Sequence, residues 1–406
     1  MDEAYWKQQY EQVRAPQLNP VVVGFNVNLD RIIPVNHTLL DSADFQKSDL
    51  ANLRVRLMRS MAHCTAEEWF VADTVQYARF AEFFSKTGSL AMGGQAGIAA
   101  LHLAALEAPA VFCLAPTVGP WAVQMLRNCG VQVPGQDTGA STCPDTVHLI
   151  FEYQPGLVPL AGDAVPRNNR FIASPRKTSA NTILSAESLA AILPQISICT
   201  RAFLSGYQYL EGEREFERAA DQIRALKNSN PQMRVHIECV TVSDETILAG
   251  LMHHILPVAD SAGMNEHELA LMPCIGGDAT PAGLVQGMLK LAQETGLARI
   301  HLHTFGYYLL VIRKERAVQE ISRAALLFAA RVAAEAAGGT GTCISQQGIE
   351  AVREIAGAFA PGPAPGFFTA SDYLVLAVPT LIASGITRTV GLGDILSSTA
   401  FVAARC

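Results

Sequence analysis

From Arg201 onward the chain repeats one pattern, a short apolar run, a polar break and then an amphipathic helix. Arg201–Tyr207, Arg234–Val240, His253–Ala259 and Arg299–Gly306 read as strands, separated by helices over 211–228, 244–252 and 281–295. Short runs that are apolar at successive positions suit strands buried on both faces. Strands alternating with helices need right-handed crossovers, which set parallel strands in one sheet with helices on both sides. The same reading takes in Val21–Asn26, Val111–Ala115 with a helix over 119–129, a long helix over 315–337, and Tyr373–Ala377 followed by a helix. The expected fold class is therefore α/β, a three-layer α/β/α core around a mostly parallel central sheet.

Two stretches do not fit that alternation. Residues 31–75 mix short strand-like pieces with polar segments, and 131–181 carries glycine and proline turns around Val147–Tyr153 and Phe171-Ile172-Ala173. Val147–Tyr153 alternates apolar and polar residues, as a strand with one solvated face does. We assign 31–75 and 131–181 to a small β-rich lid, and 1–30, 76–130 and 182–406 to a large α/β domain. With 406 residues, half of them hydrophobic and 17% charged, the chain can bury a large core without covalent staples. The net charge of −7 argues against a nucleic-acid surface. Its nine cysteines form no C-x-x-C pair, so they read as reduced thiols. The opening Met1-Asp2-Glu3-Ala4 is acidic, and the Ala-rich stretch 324–337 is interrupted by Arg331 and Glu335. Neither a secretory signal nor a membrane span is expected. The expectation is a cytoplasmic monomer acting on small molecules.

Three places carry chemistry. Thr389-Val390-Gly391-Leu392-Gly393-Asp394 runs a glycine turn into an apolar helix. A helix start offers unpaired N–H groups and partial positive charge to an anion, and glycines let the anion come close. A carboxylate at the rim of such a cradle repels a bound phosphate, yet it is well placed to take a proton from an attacking hydroxyl. Asp394 is thus the candidate catalytic base, with an aspartate N-cap as the alternative. At the end of the first strand, Asn26, Asn28 and Asp30 offer donors and acceptors suited to sugar hydroxyls, and Gly93-Gly94-Gln95 allows close backbone approach. Glu238 in His236-Ile237-Glu238 ends one strand, and Asn265-Glu266-His267-Glu268 follows the next. Neighbouring parallel strands put their carboxyl ends side by side, so these acids can share one Mg²⁺, directly or through water.

Gly24-Phe25-Asn26-Val27-Asn28-Leu29-Asp30, Gly93-Gly94-Gln95-Ala96-Gly97, His236-Ile237-Glu238, Asn265-Glu266-His267-Glu268, His301-Leu302-His303-Thr304 and Gly391-Leu392-Gly393-Asp394 together resemble the ADP-dependent sugar kinases, the glucokinases and 6-phosphofructokinases of the ribokinase-like superfamily. The resemblance spans residues 24 to 394 in the family's order. It implies a ribokinase-like core, a β-rich lid that closes over the sugar, and ADP as phosphoryl donor with AMP as product. It implies that Asp394 is the base and that the Gly391, Leu392, Gly393 and Asp394 amides hold developing charge. It further implies that Glu238 and Glu268 hold Mg²⁺ and that Arg170, in a block similar to the family's Asn-Arg-Phe segment, neutralises the transferred group. Asn28, Asp30, Gly94 and Gln95 would position the sugar.

The sugar is left between two candidates. Glu67, in Thr65-Ala66-Glu67-Glu68, is similar to a family glutamate that touches glucose, with the register between Glu67 and Glu68 open because Cys64 stands where the family often has glycine. Arg167, Arg176 and Lys177 equally suit the 6-phosphate of fructose 6-phosphate. The rival readings are an ATP-dependent ribokinase-like kinase and a sugar- or nucleotide-binding regulator without catalysis.

Overall fold

The computed structural model describes residues 1–404 except 136–142, 160–162, 274–277, 318, 339–340 and 387–389. Thr389 of the glycine motif and parts of 131–181 therefore lie outside the described residues. Strand β1 (Val21–Gly24) passes through Asn26 into β2 (Asn28–Pro34), and β3 (Glu67–Val71) and β4 (Ser89–Gly93) follow. Next come β5 (Val111–Leu114), β6 (Val147–Tyr153) and β7 (Asn169–Pro175). The regular part supplies β8 (Arg201–Leu204), β9 (Arg234–Glu238), β10 (Ser261–Asn265), β11 (Arg299–His303) and β12 (Tyr307–Arg313). Last are β13 (Gly341–Ile344), β14 (Ala360–Pro361), β15 (Phe367–Ala370), β16 (Tyr373–Pro379) and β17 (Leu381–Ser384).

The large sheet runs β14-β15-β16-β12-β11-β10-β9-β8-β1-β5. From β5 to β11 neighbouring strands are parallel, while β12, β16, β15 and β14 form an antiparallel edge. Alternation along the buried strands builds a core on each face. Val22, Leu114 and Leu204 pack on one side with Phe216 and Ile223 of the helix Glu213–Ser229. Val21, Val23, Cys113 and Phe203 pack on the other with Ala96, Ala99 and Leu103 of the helix Gln95–Ala105. This is the expected three-layer arrangement.

A five-stranded sheet in the order β3-β7-β6-β2-β4 forms the smaller body. Its outer face buries Ile33, Leu149, Phe151, Phe171 and Ala173 against Leu53 and Leu57 of the helix Ala51–His63 and Tyr77 and Phe80 of the helix Thr74–Phe83. The stretch from 74 to 93 therefore goes with the smaller sheet, not with the large domain as the boundary at 76 supposed. The reason is pairing: β2 lies between β6 and β4, so Ser89–Gly93 completes the edge of that sheet.

Two other expectations are corrected. His253–Ala259 is not a strand: the helix Glu245–Gly250 continues through a wide turn Leu251–Ile255 and a tight one, Leu256–Val258. Leu251, Met252, Ile255 and Leu256 are buried while His253 is exposed, which is a helical spacing rather than alternation. The strand comes after it, as the small-residue run Ser261–Asn265. The helix expected after Tyr373–Ala377 is replaced by β17, which pairs antiparallel with β13. No helix among the described residues is long and apolar enough to cross a membrane.

Candidate active site

The carboxyl ends of β1, β9, β10 and β11 and the inner face of the five-stranded sheet bound one cleft. The helix Leu392–Ala403 points its amino end into it, with Gly391 as N-cap at φ 78, a conformation that favours glycine. Asp394 sits in the first turn, where the positive end of the helix favours a carboxylate. A Cβ on Gly393 would stand 2.8 Å from His303 Nε2, which places that ring against the turn. Burial pushes the His303 pKa down to about 4, so the imidazole there is neutral.

Glu238 and Glu268 flank Asp394. Glu238 is 4% exposed; its Oε2 accepts from Ser397 Oγ at 2.6 Å and lies 2.9 Å from His236 Nε2. Glu268 accepts from the Asn265 amide on Oε2 and from Thr241 Oγ1 on Oε1, as the return half of a capping box. Burial raises the pKa of both carboxyls, Glu268 to about 7 and Glu238 well above the carboxylate range, and the charge of Asp394 adds to each rise. Such crowding of acids calls for a counter-charge. Among the described residues no group of three His, Cys, Asp or Glu side chains converges as a ready metal cage. The donor set, oxygen only and partly engaged, thus fits a hard cation whose shell is completed by water and ligand phosphate oxygens.

Arg170 enters from the opposite wall. Strand alternation and register put Arg170, Ile172 and Ser174 of β7 on the inner face, beside Glu152 and His148 of β6 and Asp30 of β2. Burial lowers the Arg170 pKa, while Asp394, Glu152, Glu68 and Asp30 all favour its charge. Its Nε is buried without a protein partner. A donor left unbonded in a cleft, facing the carboxylate of a helix start, suits an anionic group placed between the two.

The polar residues after β1 sit where expected. Asn26, Asn28 and Asp30 are buried, and Asn28 Nδ2 donates to Asp30 Oδ1 at 2.7 Å. Gly94, at φ 72, lies so close to Asn26 that a Cβ there would stand 2.3 Å from the Asn26 carbonyl oxygen. Gln95 Nε2 donates to the Cys239 carbonyl, leaving its Oε1 buried without a protein partner.

Glu67 is not brought into the cleft. Its carboxylate accepts from Arg56 Nη1 at 2.8 Å, and it shares a strand face with Trp69, which packs on Phe80 among the outer helices. One step along the strand, Glu68 turns inward, and Ser174 Oγ donates to its Oε1 at 2.7 Å. Burial pushes the pKa of this carboxyl up, while the Ser174 hydrogen bond and the charges of Lys177 and Arg170 pull it back. Of the two glutamates after Cys64, Glu68 is the one on the inner face.

Three residues here were absent from, or misplaced in, the sequence reading. His148 is 6% exposed and lies 3.2 Å from Ser174 Oγ through Nδ1. Because the Ser174 hydrogen goes to Glu68, that bond needs the proton on Nδ1, so the buried, unpartnered Nε2 is an acceptor. Burial holds its pKa well below the ordinary histidine value, so the ring is neutral. Lys177 donates to Asn26 Oδ1 at 2.6 Å and to Asn28 Oδ1 at 3.2 Å, so it braces the two amides that follow β1. Burial brings its pKa down to about 8, against the pull of Glu68 and Asp30. Arg176 pairs with Glu211 at 2.5 Å on the exposed rim. The only sequence signal for His148 was a polar residue in an alternating strand.

Residues 19–403 match the model of the ADP-specific phosphofructokinase/glucokinase conserved region. The chain is 27% identical to the ADP-dependent glucose/glucosamine kinase of Pyrococcus furiosus, over 95% of this chain and 94% of that protein. It is 25% identical to the ADP-specific phosphofructokinase of Methanosarcina acetivorans, over 99% and 98%. The solved structure of an ADP-dependent kinase complex with fructose-6-phosphate and ADPbetaS superposes with a TM-score of 0.84 at 25% identity, covering 99% of this chain and 98% of that one.

Proposed function

This chain belongs to the ADP-specific phosphofructokinase/glucokinase family, and on that premise we propose that it transfers the β-phosphoryl group of ADP to a hexose hydroxyl and releases AMP. The observation that carries the reading is the meeting of Asp394, on the positive end of a helix, with the unpartnered Arg170 Nε and the acids Glu238 and Glu268 across one cleft. The hydroxyl oxygen attacks the β-phosphorus, the bond to the bridging oxygen of AMP breaks, and the hydroxyl proton passes to Asp394. Positive charge from Arg170 and the amides of Gly391 to Asp394 stabilise the oxygens of the transferred group, which carry the developing charge. Glu238 and Glu268 would hold Mg²⁺, which supplies charge neutralisation on the donor phosphates. Asn26, Asn28, Asp30, Gly94 and Gln95 bind and orient the sugar. Closure of the smaller sheet over the cleft would exclude water as a competing acceptor.

The preferred acceptor in this proposal is glucose. Glu68 and the acceptor Nε2 of His148 suit hydroxyl donors, whereas a carboxylate at this place repels a phosphate. Fructose 6-phosphate is the second reading, favoured by the exposed cations Arg167 and Arg176 on the rim and by the sugar phosphate bound in the related structure. Replacing Glu68 by Ala is expected to raise the KM for glucose about tenfold or more, the cost of one charged hydrogen bond. Glu67→Ala is expected to leave it within about twofold, because Glu67 belongs to the outer face. Steady-state kinetics of the two variants check this, and a glucose defect in the Glu67 variant alone would reverse the assignment.

A further inference from the structure

Behind Glu238 runs a chain of buried polar groups that are bonded to one another. Arg299 Nη1 donates to Ser261 Oγ at 3.0 Å, and Ser261 Oγ lies 2.8 Å from His236 Nδ1. His236 Nε2 lies 2.9 Å from Glu238 Oε2, and Ser397 Oγ donates to the same oxygen at 2.6 Å. All five residues are 4% exposed or less. His236 is held between Phe203, stacked at 5.2 Å, and Phe401 at 4.9 Å, which fixes the plane of its ring.

The direction of this chain follows from its last member, read as an ionised cation ligand. A carboxylate can only accept, so the imidazole proton sits on His236 Nε2, which donates to Glu238, and Nδ1 accepts from Ser261 Oγ. The Arg299 guanidinium can only donate, and Ser261 Oγ accepts from it as well. Two donors, His236 from the strand and Ser397 from the helix that carries Asp394, thereby converge on one oxygen and leave Oε1 as the other face of the carboxylate. Space for this convergence comes from Gly263: a Cβ there would stand 2.1 Å from Glu238 Oε2, 2.6 Å from Ser397 Oγ and 2.7 Å from His236 Nε2. That is why a glycine stands at position 263 in β10, in the middle of a sheet otherwise rich in branched residues.

We propose that Arg299, Ser261, His236 and Ser397 form a one-way hydrogen-bond relay that fixes the Glu238 carboxylate so that Oε1 faces the divalent cation, with Ser397 coupling that carboxylate to the helix bearing Asp394. The inference rests on the reading of Glu238 as a cation ligand. These are positioning residues, since their bonds are to one another and to Glu238. Groups of this kind behind a ligand characteristically set cation affinity by about tenfold to a hundredfold.

The test is Mn²⁺ binding in the presence of ADP, read as free Mn²⁺ by electron paramagnetic resonance, alongside melting temperature and AMP release. Ser261→Ala and Ser397→Ala are expected to weaken Mn²⁺ uptake by about tenfold or more while melting falls by no more than roughly 8 °C, the cost of the buried hydrogen bonds each hydroxyl makes. Gly263→Ala, which keeps every member of the relay but occupies its space, is expected to weaken uptake at least as much. Ser398→Ala is the control: among the described residues that buried serine bonds to the Ile395 carbonyl on the same helix, and its loss should leave Mn²⁺ uptake at the wild-type value. Restoring a hydroxyl with Ser397→Thr should recover uptake relative to the alanine variant. Wild-type uptake in both serine-to-alanine variants overturns the relay, as does an equal loss in the Ser398 control. A wild-type chain that takes up no Mn²⁺ with ADP overturns the cation reading of Glu238 itself.

Discussion

Replacing Asp394 by Asn is expected to lower turnover by about a hundredfold or more while ADP affinity stays the same or rises. The substitution keeps the shape of the side chain and removes the site that accepts the hydroxyl proton. It also removes one negative charge from a pocket in which Asp394 already pushes up the pKa of Glu238 and Glu268. Both neighbours then ionise more readily, which favours a cation and the phosphates it carries. Some helix stability is lost, because a carboxylate in the first turn interacts with the helix dipole, by about 0.3–1 kcal/mol. Turnover and nucleotide binding must therefore separate: single-turnover AMP release should collapse while calorimetric ADP binding persists. Near-normal turnover in the Asp394→Asn variant would reduce Asp394 to a helix cap.

The second large effect is expected at Arg170. Arg170→Met should lower kcat/KM by about a hundredfold to a thousandfold, the loss typical when one preorganised charge is withdrawn from developing negative charge. Stability should fall as well, since Arg170→Met leaves Asp394, Glu152, Glu68 and Asp30 without the positive charge among them. Arg170→Lys should recover only part of the rate, because an ammonium lacks the planar pair of donors. A variant that retains more than about a tenth of the wild-type kcat/KM, or one that loses activity only by unfolding, would remove Arg170 from the transferred group.

The parts of the site legible in the sequence were those whose chemistry has a local cause. A glycine turn before an apolar helix placed Asp394, and the acids that follow a strand end placed Glu268 at the start of the helix Glu266–Leu271. An isolated charge in an apolar strand marked Glu238, because such a charge needs partners, and His236 and Ser397 are two of them. What failed depended on pairing across the sheet. Whether Glu67 or Glu68 faces the cleft is a matter of strand parity, which is set by the register of β3 on β7. The inclusion of Ser89–Gly93 in the smaller sheet rests on contacts with β2, far earlier in the chain, and no local signal announces it. β10 was missed for a related reason: its small residues make room for the groups behind Glu238, so it lacks the branched side chains that mark its neighbours. Lys177 looked like a phosphate ligand because its partners, Asn26 and Asn28, lie about 150 positions away in the chain.

One measurement tests the central claim most directly: release of AMP from ADP and Mg²⁺ with glucose and with fructose 6-phosphate in parallel, and ATP as the control donor. The account predicts AMP with glucose, lost in the Asp394→Asn variant, and little or no turnover when ATP replaces ADP. Turnover with ATP in preference to ADP, or none with either sugar, would contradict it.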